Sequence, residues 1–216
     1  MTEVPVLIVG GGPVGLALAL DLGWRGVPCL VVEQGDGEVV DAKMFATGIR
    51  TVEFCRRWGI AERVKHWGFP EDFPFDNVFV TSLNGHELGR IAMPPMRDVP
   101  PFPSSPERFA HCPQFVFDPI LAEAARAHPC VSLRYRCRLA SFHDTDDGVV
   151  AELIDETTGS RERVQAQYLV GCDGFASTVR RALGIEVHGI PIINRQRSVP
   201  SAGVRLAHAP SSPMIT

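Results

Sequence analysis

Three glycines near the start of the chain have a spacing suited to holding phosphate. Gly10, Gly12 and Gly15 form GxGxxG directly after an apolar run. In such a turn the first glycine permits a tight bend, the second lets the backbone approach a pyrophosphate, and the third lets helix and strand pack closely. Pro13 and Val14 open the following helix, whose free N–H groups attract negative charge. These residues therefore predict a dinucleotide site.

An acidic residue stands where a nucleotide ribose needs a hydrogen-bond acceptor. Glu33 ends the second apolar run and is followed by Gln34. A carboxylate at the end of that strand accepts hydrogen bonds from ribose hydroxyl groups. The pattern fits NAD and FAD equally well, because both dinucleotides carry an ADP half.

A second glycine-containing turn lies in VGCDGFASTVRRALGI, residues 170–185. Gly174 allows a ligand to approach the backbone, and Asp173 can accept a hydroxyl or amide hydrogen bond. Arg180 can offer a positive fork to phosphate, or it can hold the loop through an ion pair. The alternative is that Asp173 only caps the next helix and that Arg180 is a surface charge.

Hydrophobic periodicity around these two turns predicts an α/β fold. Continuous apolar runs indicate strands buried on both faces, and a helix between the first two makes a βαβ unit with parallel strands. Asn84-Gly85 predicts a hairpin, and Asp118-Pro119 predicts a helix with Asp118 as its N-cap. The predicted strands are 4–9, 28–32, 78–82, 86–92, 131–135, 137–143, 148–154, 161–166 and 167–171, of which 137–143, 148–154 and 161–166 form a small antiparallel meander, and the predicted helices are 13–25, 48–58, 118–128 and 176–183.

Composition argues against several classes of protein. The 216 residues are 45% hydrophobic with a formal charge of −4, which gives no electrostatic reason to expect nucleic acid. The apolar run from Val4 to Leu20 is interrupted by glycine and proline, so we expect neither a signal peptide nor a membrane span. Six cysteines without a CxxC pair indicate reduced thiols in a cytoplasm. Arg134, Arg136 and Arg138 alternate with less polar residues and are interpreted as the solvent face of a strand.

Four segments in this order resemble the FAD-dependent aromatic hydroxylases, the class A flavoprotein monooxygenases similar to para-hydroxybenzoate and phenol hydroxylases. They are VLIVGGGPVGLALALDLGWRGVPCLVVEQ, AKMFATGIRTVEFCRRWGI, CPQFVFDPILAEAAR and the stretch around Asp173. The resemblance implies that Lys43 lies near the flavin and that Gln114 contacts FAD. It also implies that Asp173, Gly174 and Arg180 serve both FAD and a visiting NAD(P)H.

The resemblance implies a particular chemistry and partner set. NAD(P)H reduces FAD, O2 adds to the reduced flavin, and the resulting flavin hydroperoxide hydroxylates a small, phenol-like aromatic substrate. The hard chemistry belongs to the cofactor, so no side chain is assigned as a catalytic acid, base or nucleophile, and no metal is expected. The expected location, from the reduced thiols, is the cytoplasm, and a homodimer is left open as the assembly.

The resemblance also implies a domain plan. A Rossmann-like FAD-binding fold, with a parallel sheet, helices and the small meander, covers 1–74 and 107–186. Residues 75–106 begin a substrate domain whose sheet is incomplete, and 187–216 enter that domain and end in a poorly ordered tail. The family's later Gly-Asp segment is not found after Gly184. We therefore expect a fragment, or the product of a frameshift near Val199.

Three alternatives stay open at the level of sequence. The chain can be a catalytically inactive FAD-binding fragment, or a flavoenzyme of the same fold with epoxidase or reductase chemistry. A plain NAD dehydrogenase fits least, because it leaves the segments around Gln114 and Asp173 unexplained.

Overall fold

The computed structural model describes residues 2–40, 42–82, 84–100 and 102–190. The strands are β1 (Thr2–Val9), β2 (Cys29–Val32), β3 (Asn77–Val80), β4 (Glu87–Ile91), β5 (Val131–Arg134), β6 (Cys137–Thr145), β7 (Gly148–Asp155) and β8 (Arg161–Gly171). The helices are α1 (Pro13–Trp24), α2 (Ile49–Arg57), α3 (Ala61–Lys65), α4 (Gln114–Arg126) and α5 (Thr178–Ala182), with a 3₁₀ turn at Met96–Asp98. Six strands form one sheet in the order β5-β2-β1-β8-β7-β6, and β3 and β4 form a separate pair.

The central strands carry apolar side chains on both faces, as their continuous apolar sequence predicts. In β1, Ile8 faces a core that contains Leu16 of α1 and Leu121 of α4. Its neighbour Leu7 faces a second core that contains Leu153 of β7. Side chains alternate along a strand, so one short strand supplies both cores and holds the sheet between its two layers. The predicted βαβ unit is confirmed, because β1 and β2 pair in parallel.

Strand β8 is one continuous strand where the sequence predicts two. Residues 161–166 and 167–171, predicted as two strands, form one continuous strand. It pairs in parallel with β1 and antiparallel with β7. The prediction of a break is wrong because no glycine or proline interrupts this stretch. The antiparallel meander therefore continues the parallel sheet rather than standing beside it.

Helix α4 begins one turn earlier than predicted. It starts at Gln114 after Pro113, so Asp118 lies inside the helix and Pro119 is an interior proline. The prediction of Asp118 as an N-cap is wrong. Phe117 and Leu121 are buried at helical spacing, and their packing carries the helix through an Asp-Pro pair that resembles a helix start.

Helix α5 is shorter than predicted and begins after the N-cap Ser177. The three arginines do not share one strand, because β5 ends at Arg134 and Arg136 has φ +53°. Each forms an ion pair: Arg134 with Glu162, Arg136 with Asp36 and Arg138 with Glu156.

The hairpin around Gly85 is confirmed, since β3 and β4 are antiparallel. Its assignment to a substrate domain, like the other domain boundaries, stays a prediction. The predicted tail from 200, and most of the segment from 187, lie outside the described residues. In the part of the chain that the structure describes, no helix is long and apolar enough to cross a membrane.

Candidate functional site

A cleft of about 590 Å³ opens at the carboxyl ends of β1, β2 and β8. Ligands of open parallel sheets bind at this end of the strands. Gly10 closes the turn after β1, with φ +109° and its N–H donating to the carbonyl of Val32 at 2.8 Å. The cleft is lined by Val9, Gly10, Gly12, Pro13, Val14, Val32, Glu33, Gln34, Lys43, Met44, Gln114, Cys137, Arg138, Leu139, Cys172, Asp173, Gly174, Ala176, Thr178 and Arg181.

The three motif glycines have different surroundings. A Cβ on Gly10 would contact the carbonyl oxygen of Cys172, and a Cβ on Gly15 would contact the carbonyl oxygen of Gly10. A Cβ on Gly12 would meet nothing within 4 Å. Gly10 and Gly15 therefore let the two glycine turns and α1 pack closely, whereas Gly12 leaves open space at the cleft.

The N-terminus of α1 faces the cleft without a capping side chain. Gly12 precedes the helix in an extended conformation, and the first turn contains no acidic residue. The first N–H groups of a helix have no partner within the helix and carry its positive dipole end. This end of a 12-residue helix is consequently suited to an anion such as a pyrophosphate.

The carboxylate of Glu33 is held in place by two backbone groups. Its Oε2 accepts the N–H of Gly11 and its Oε1 accepts the N–H of Gly35, both at 2.7 Å. An ionised carboxylate has about four acceptor sites, so sites are left for ribose hydroxyl groups. Gln34 follows it along the cleft wall.

Lys43 and Gln114 are brought together across 71 residues of sequence. The backbone N–H of Lys43 donates to Oε1 of Gln114 at 3.0 Å. The backbone N–H of Gln114 donates to the carbonyl of Met44 at 2.9 Å. The segment carrying Lys43 and the start of α4 therefore form one wall of the cleft.

Asp173 caps helix α5. Its Oδ2 accepts the N–H groups of Thr178 at 2.6 Å and Val179 at 3.2 Å, and its Oδ1 accepts the hydroxyl of Ser177 at 2.5 Å. Burial alone would raise the pKa of Asp173, but these hydrogen bonds outweigh burial and lower it. The carboxylate is therefore ionised and largely occupied with the helix start, while Gly174 beside it has φ +74°.

Arg180 lies away from the cleft lining. Its guanidinium donates to the carbonyls of Ile185 at 3.0 Å and Phe175 at 3.5 Å, so it holds the loops at both ends of α5. The next residue, Arg181, lines the cleft instead, as does Arg138. Neither arginine is among the predicted site residues, although Arg181 follows Thr178 by three positions and so shares its helix face.

The residues of this cleft fit the FAD that the resemblance implies. An uncapped helix N-terminus and the cations Lys43 and Arg181 suit the two negative charges of a pyrophosphate, whereas Arg138 lines the cleft in an ion pair with Glu156. The fixed carboxylate of Glu33 suits a ribose. Fold and cleft together define a dinucleotide-binding protein of the α/β class.

Comparison with known proteins narrows this class to one family. The model of the family described as FAD binding domain matches residues 3–206. The chain belongs to this family. The similar proteins in the family are FAD-dependent aromatic monooxygenases. The tetracenomycin B2 monooxygenase-dioxygenase of Streptomyces olivaceus is 36% identical over 211 residues, and the match covers 91% of this chain and 39% of that protein. The 4-methyl-5-nitrocatechol 5-monooxygenase of a Burkholderia species is 33% identical over 198 residues, with 91% and 36% covered.

Solved structures agree with this assignment. RebC soaked with K252c superposes with a TM-score of 0.77 at 45% identity, covering 85% of this chain and 35% of that chain. A ternary complex of aklavinone-11 hydroxylase with FAD and aklavinone gives a TM-score of 0.70 at 32% identity, with 85% and 35% covered. The chain thus spans well under half the length of the relatives it matches.

Proposed function

We propose that this chain is the FAD-binding portion of a NAD(P)H-dependent monooxygenase that hydroxylates a phenol-like aromatic ring. The observation that carries the proposal is the uncapped N-terminus of α1 facing a cleft that also contains the fixed carboxylate of Glu33. When bound, FAD supplies the redox chemistry: two electrons from NAD(P)H and one O2 yield a hydroxylated ring and water.

In this proposal the protein's own residues bind and orient the cofactor. Gly12 and the first turn of α1 hold the pyrophosphate, with Arg181 and Lys43 as nearby positive charges. Glu33 accepts the ribose hydroxyl groups. Gly174 lets the cofactor approach the backbone, and Asp173 keeps that turn in place through α5.

The names of the relatives support an aromatic substrate. They include a 2,4-dichlorophenol 6-monooxygenase of Delftia acidovorans, 30% identical over 190 residues, which by its name acts on a single ring. The ternary complex of aklavinone-11 hydroxylase contains FAD and aklavinone. We therefore propose an electron-rich hydroxylated ring as the substrate class, with O2 as the second reactant.

Location and assembly belong to the same proposal. All six cysteines are free thiols, which supports a cytoplasmic location. We propose a homodimer, and light scattering of the purified chain would measure it directly.

Flavin binding is the first test. The purified chain should bind FAD and give the yellow spectrum of a bound flavin, with its fluorescence changed from that of free FAD. NADPH or NADH should then bleach the flavin absorbance without oxygen, faster when a candidate phenol is present. Product analysis in air should find the ring hydroxylated.

The outcomes separate the alternatives. Bound FAD that neither NADPH nor NADH reduces, with or without phenols, would favour an inactive FAD-binding fragment. Reduction followed by epoxide formation, or without oxygen transfer, would favour another flavin chemistry. Binding of NAD(H) without affinity for FAD would contradict the proposal.

A further inference from the structure

A row of side-chain hydrogen bonds ties helix α4 to the cleft wall. The N–H of Lys43 donates to Oε1 of Gln114, and Nε2 of Gln114 donates to Oδ2 of Asp118, both at 3.0 Å. Lys43 and Gln114 line the cleft, whereas Asp118 is not part of its lining. The amide of Gln114 therefore stands between a buried carboxyl group and the wall of the cofactor site.

The polarity of this row depends on Asp118. A carboxylate only accepts hydrogen bonds, and a backbone N–H only donates. With Asp118 on one side and the N–H of Lys43 on the other, only one orientation of the Gln114 amide satisfies both neighbours. The flipped amide would set its NH2 group against an N–H and its oxygen against a carboxylate. Asp118 thereby selects which end of the amide each neighbour meets.

The surroundings of Asp118 indicate that its carboxyl group does not contribute to the stability of the core. The residue is 6% exposed, and its Oδ1 is a buried side-chain oxygen without a hydrogen-bond partner among the described residues. Burial raises the pKa of Asp118, and the hydrogen bond from Gln114 only partly opposes that rise. A buried oxygen without a partner lowers stability, so the group at this position is better explained by what its other oxygen does.

We propose that Asp118 is a positioning residue for FAD. It fixes the amide of Gln114, and through Oε1 of that amide it holds the backbone N–H of Lys43 against the cofactor cleft. This inference rests on the proposed binding of FAD, but the hydrogen-bonded row itself is present without the cofactor and is open to a separate measurement.

Hydrogen exchange of the Lys43 amide measures the row directly. Asp118→Ala should accelerate exchange of this amide by about tenfold in the chain without cofactor, because the acceptor Oε1 is no longer held. Glu123→Ala is the matched control, since Glu123 is an exposed acid on the same helix that pairs with Arg63. It should leave the Lys43 amide unchanged. Equal exchange in wild type and Asp118→Ala would overturn the proposal.

A pair of substitutions tests orientation rather than mere packing. Gln114→Glu places two carboxyl groups side by side and should loosen the Lys43 amide. Adding Asp118→Asn reverses the donor and acceptor between positions 114 and 118, while residue 114 still offers an oxygen to Lys43. The double variant should therefore recover the slow exchange that Gln114→Glu alone loses. Absence of recovery in a folded double variant would overturn the orienting role.

Affinity for FAD gives the functional readout. Asp118→Ala should weaken FAD binding by about tenfold, measured by flavin fluorescence, whereas Glu123→Ala should not. A wild-type chain that binds no FAD while Asp118→Ala still frees the Lys43 amide would refute the proposed function but support the positioning of Gln114. Wild-type FAD affinity in Asp118→Ala would overturn the link to the cofactor.

Discussion

At the scale of residues, Gly12 is a position where a substitution should weaken ligand binding without lowering the stability of the fold. Gly12 has φ −78°, which any residue adopts, and a Cβ there meets nothing within 4 Å. Gly12→Ala should therefore leave the thermal midpoint nearly unchanged. The methyl group would stand where a pyrophosphate approaches the backbone, so FAD affinity should fall by about tenfold, or ~1.4 kcal/mol. Calorimetry and flavin titration of the same preparation check both expectations.

Gly15 provides the opposite case. A Cβ at this position would contact the carbonyl oxygen of Gly10, so Gly15→Ala has to move α1 away from the turn. This variant should lose stability, by about 1–3 kcal/mol, together with FAD affinity. If Gly12→Ala and Gly15→Ala had equal thermal midpoints, the different roles assigned to the two glycines would be wrong.

At the scale of residues, the sequence predicted which residue types form the site and how they are spaced, but it did not predict which side chains face the cleft. Gly12 and Glu33 lie in the cleft because a GxGxxG turn and a strand end fix their positions almost completely. Arg180 and Arg181 are neighbours of the same type, and only the start of α5 at Thr178 decides which one faces the cleft. That start depends on the cap formed by Asp173 and Ser177, a three-dimensional contact that spacing alone does not supply.

At the scale of elements, the cap of α5 should make stability depend on pH. The pKa of Asp173 is lowered from 3.8 in the folded chain. Its contribution is therefore complete well above that ordinary value and is lost as the pH falls through the lowered folded value. Asp173→Ala should cost about 1 kcal/mol at neutral pH, and the difference from wild type should shrink as the pH falls below 3.8. Urea unfolding at several pH values measures this difference.

Asp173→Asn is the control for the charge. It keeps one acceptor oxygen for the helix N–H groups but does not titrate in this range. The stability of Asp173→Asn relative to Asp173→Ala should be smaller than that of the wild type relative to Asp173→Ala, and it should be constant with pH. A difference between wild type and Asp173→Ala that stays constant as the pH falls below 3.8 would show that the carboxylate does not stabilise α5 through its charge.

Element types were predictable from pattern, whereas two boundaries were not. The apolar runs of β1 and β2 and the glycine turn between them specify a βαβ unit with little ambiguity. Asp118-Pro119 carries the local chemistry of a helix start, yet Phe117 and Leu121 pack on the core and extend α4 past it. Tertiary packing of a whole helix face outweighs the preference of one residue pair.

At the scale of the whole molecule, the thiols should report on global unfolding. Cys29, Cys55 and Cys112 are buried, and burial raises their pKa to about 11, about 11 and about 12. Only the thiolate reacts readily. These three thiols should resist a disulfide reagent in the native chain and react at the rate of unfolding in denaturant. Fast labelling of all six thiols with native circular dichroism would contradict this core.

The α/β class was predictable for the whole molecule, but the order of strands was not. Nothing local in residues 161–171 states that this stretch lies between β1 and β7. Its place follows from two partners, one far away in sequence and one close, which only the assembled sheet brings together. The same assembly sets the backbone of Cys172 and Asp173 beside Gly10, and so completes the cleft.

The place of β8 has a consequence for how the chain folds as it is made. The hydroxyl of Thr2 at the start of β1 donates to Glu162 of β8, 160 residues later. On a ribosome adding about 5–20 residues per second, β1 therefore waits roughly ten to thirty seconds with the backbone N–H and C=O groups of one edge unpaired. Chaperone dependence should be greatest during that interval, and nucleotide binding should begin only after α5 has emerged from the exit tunnel.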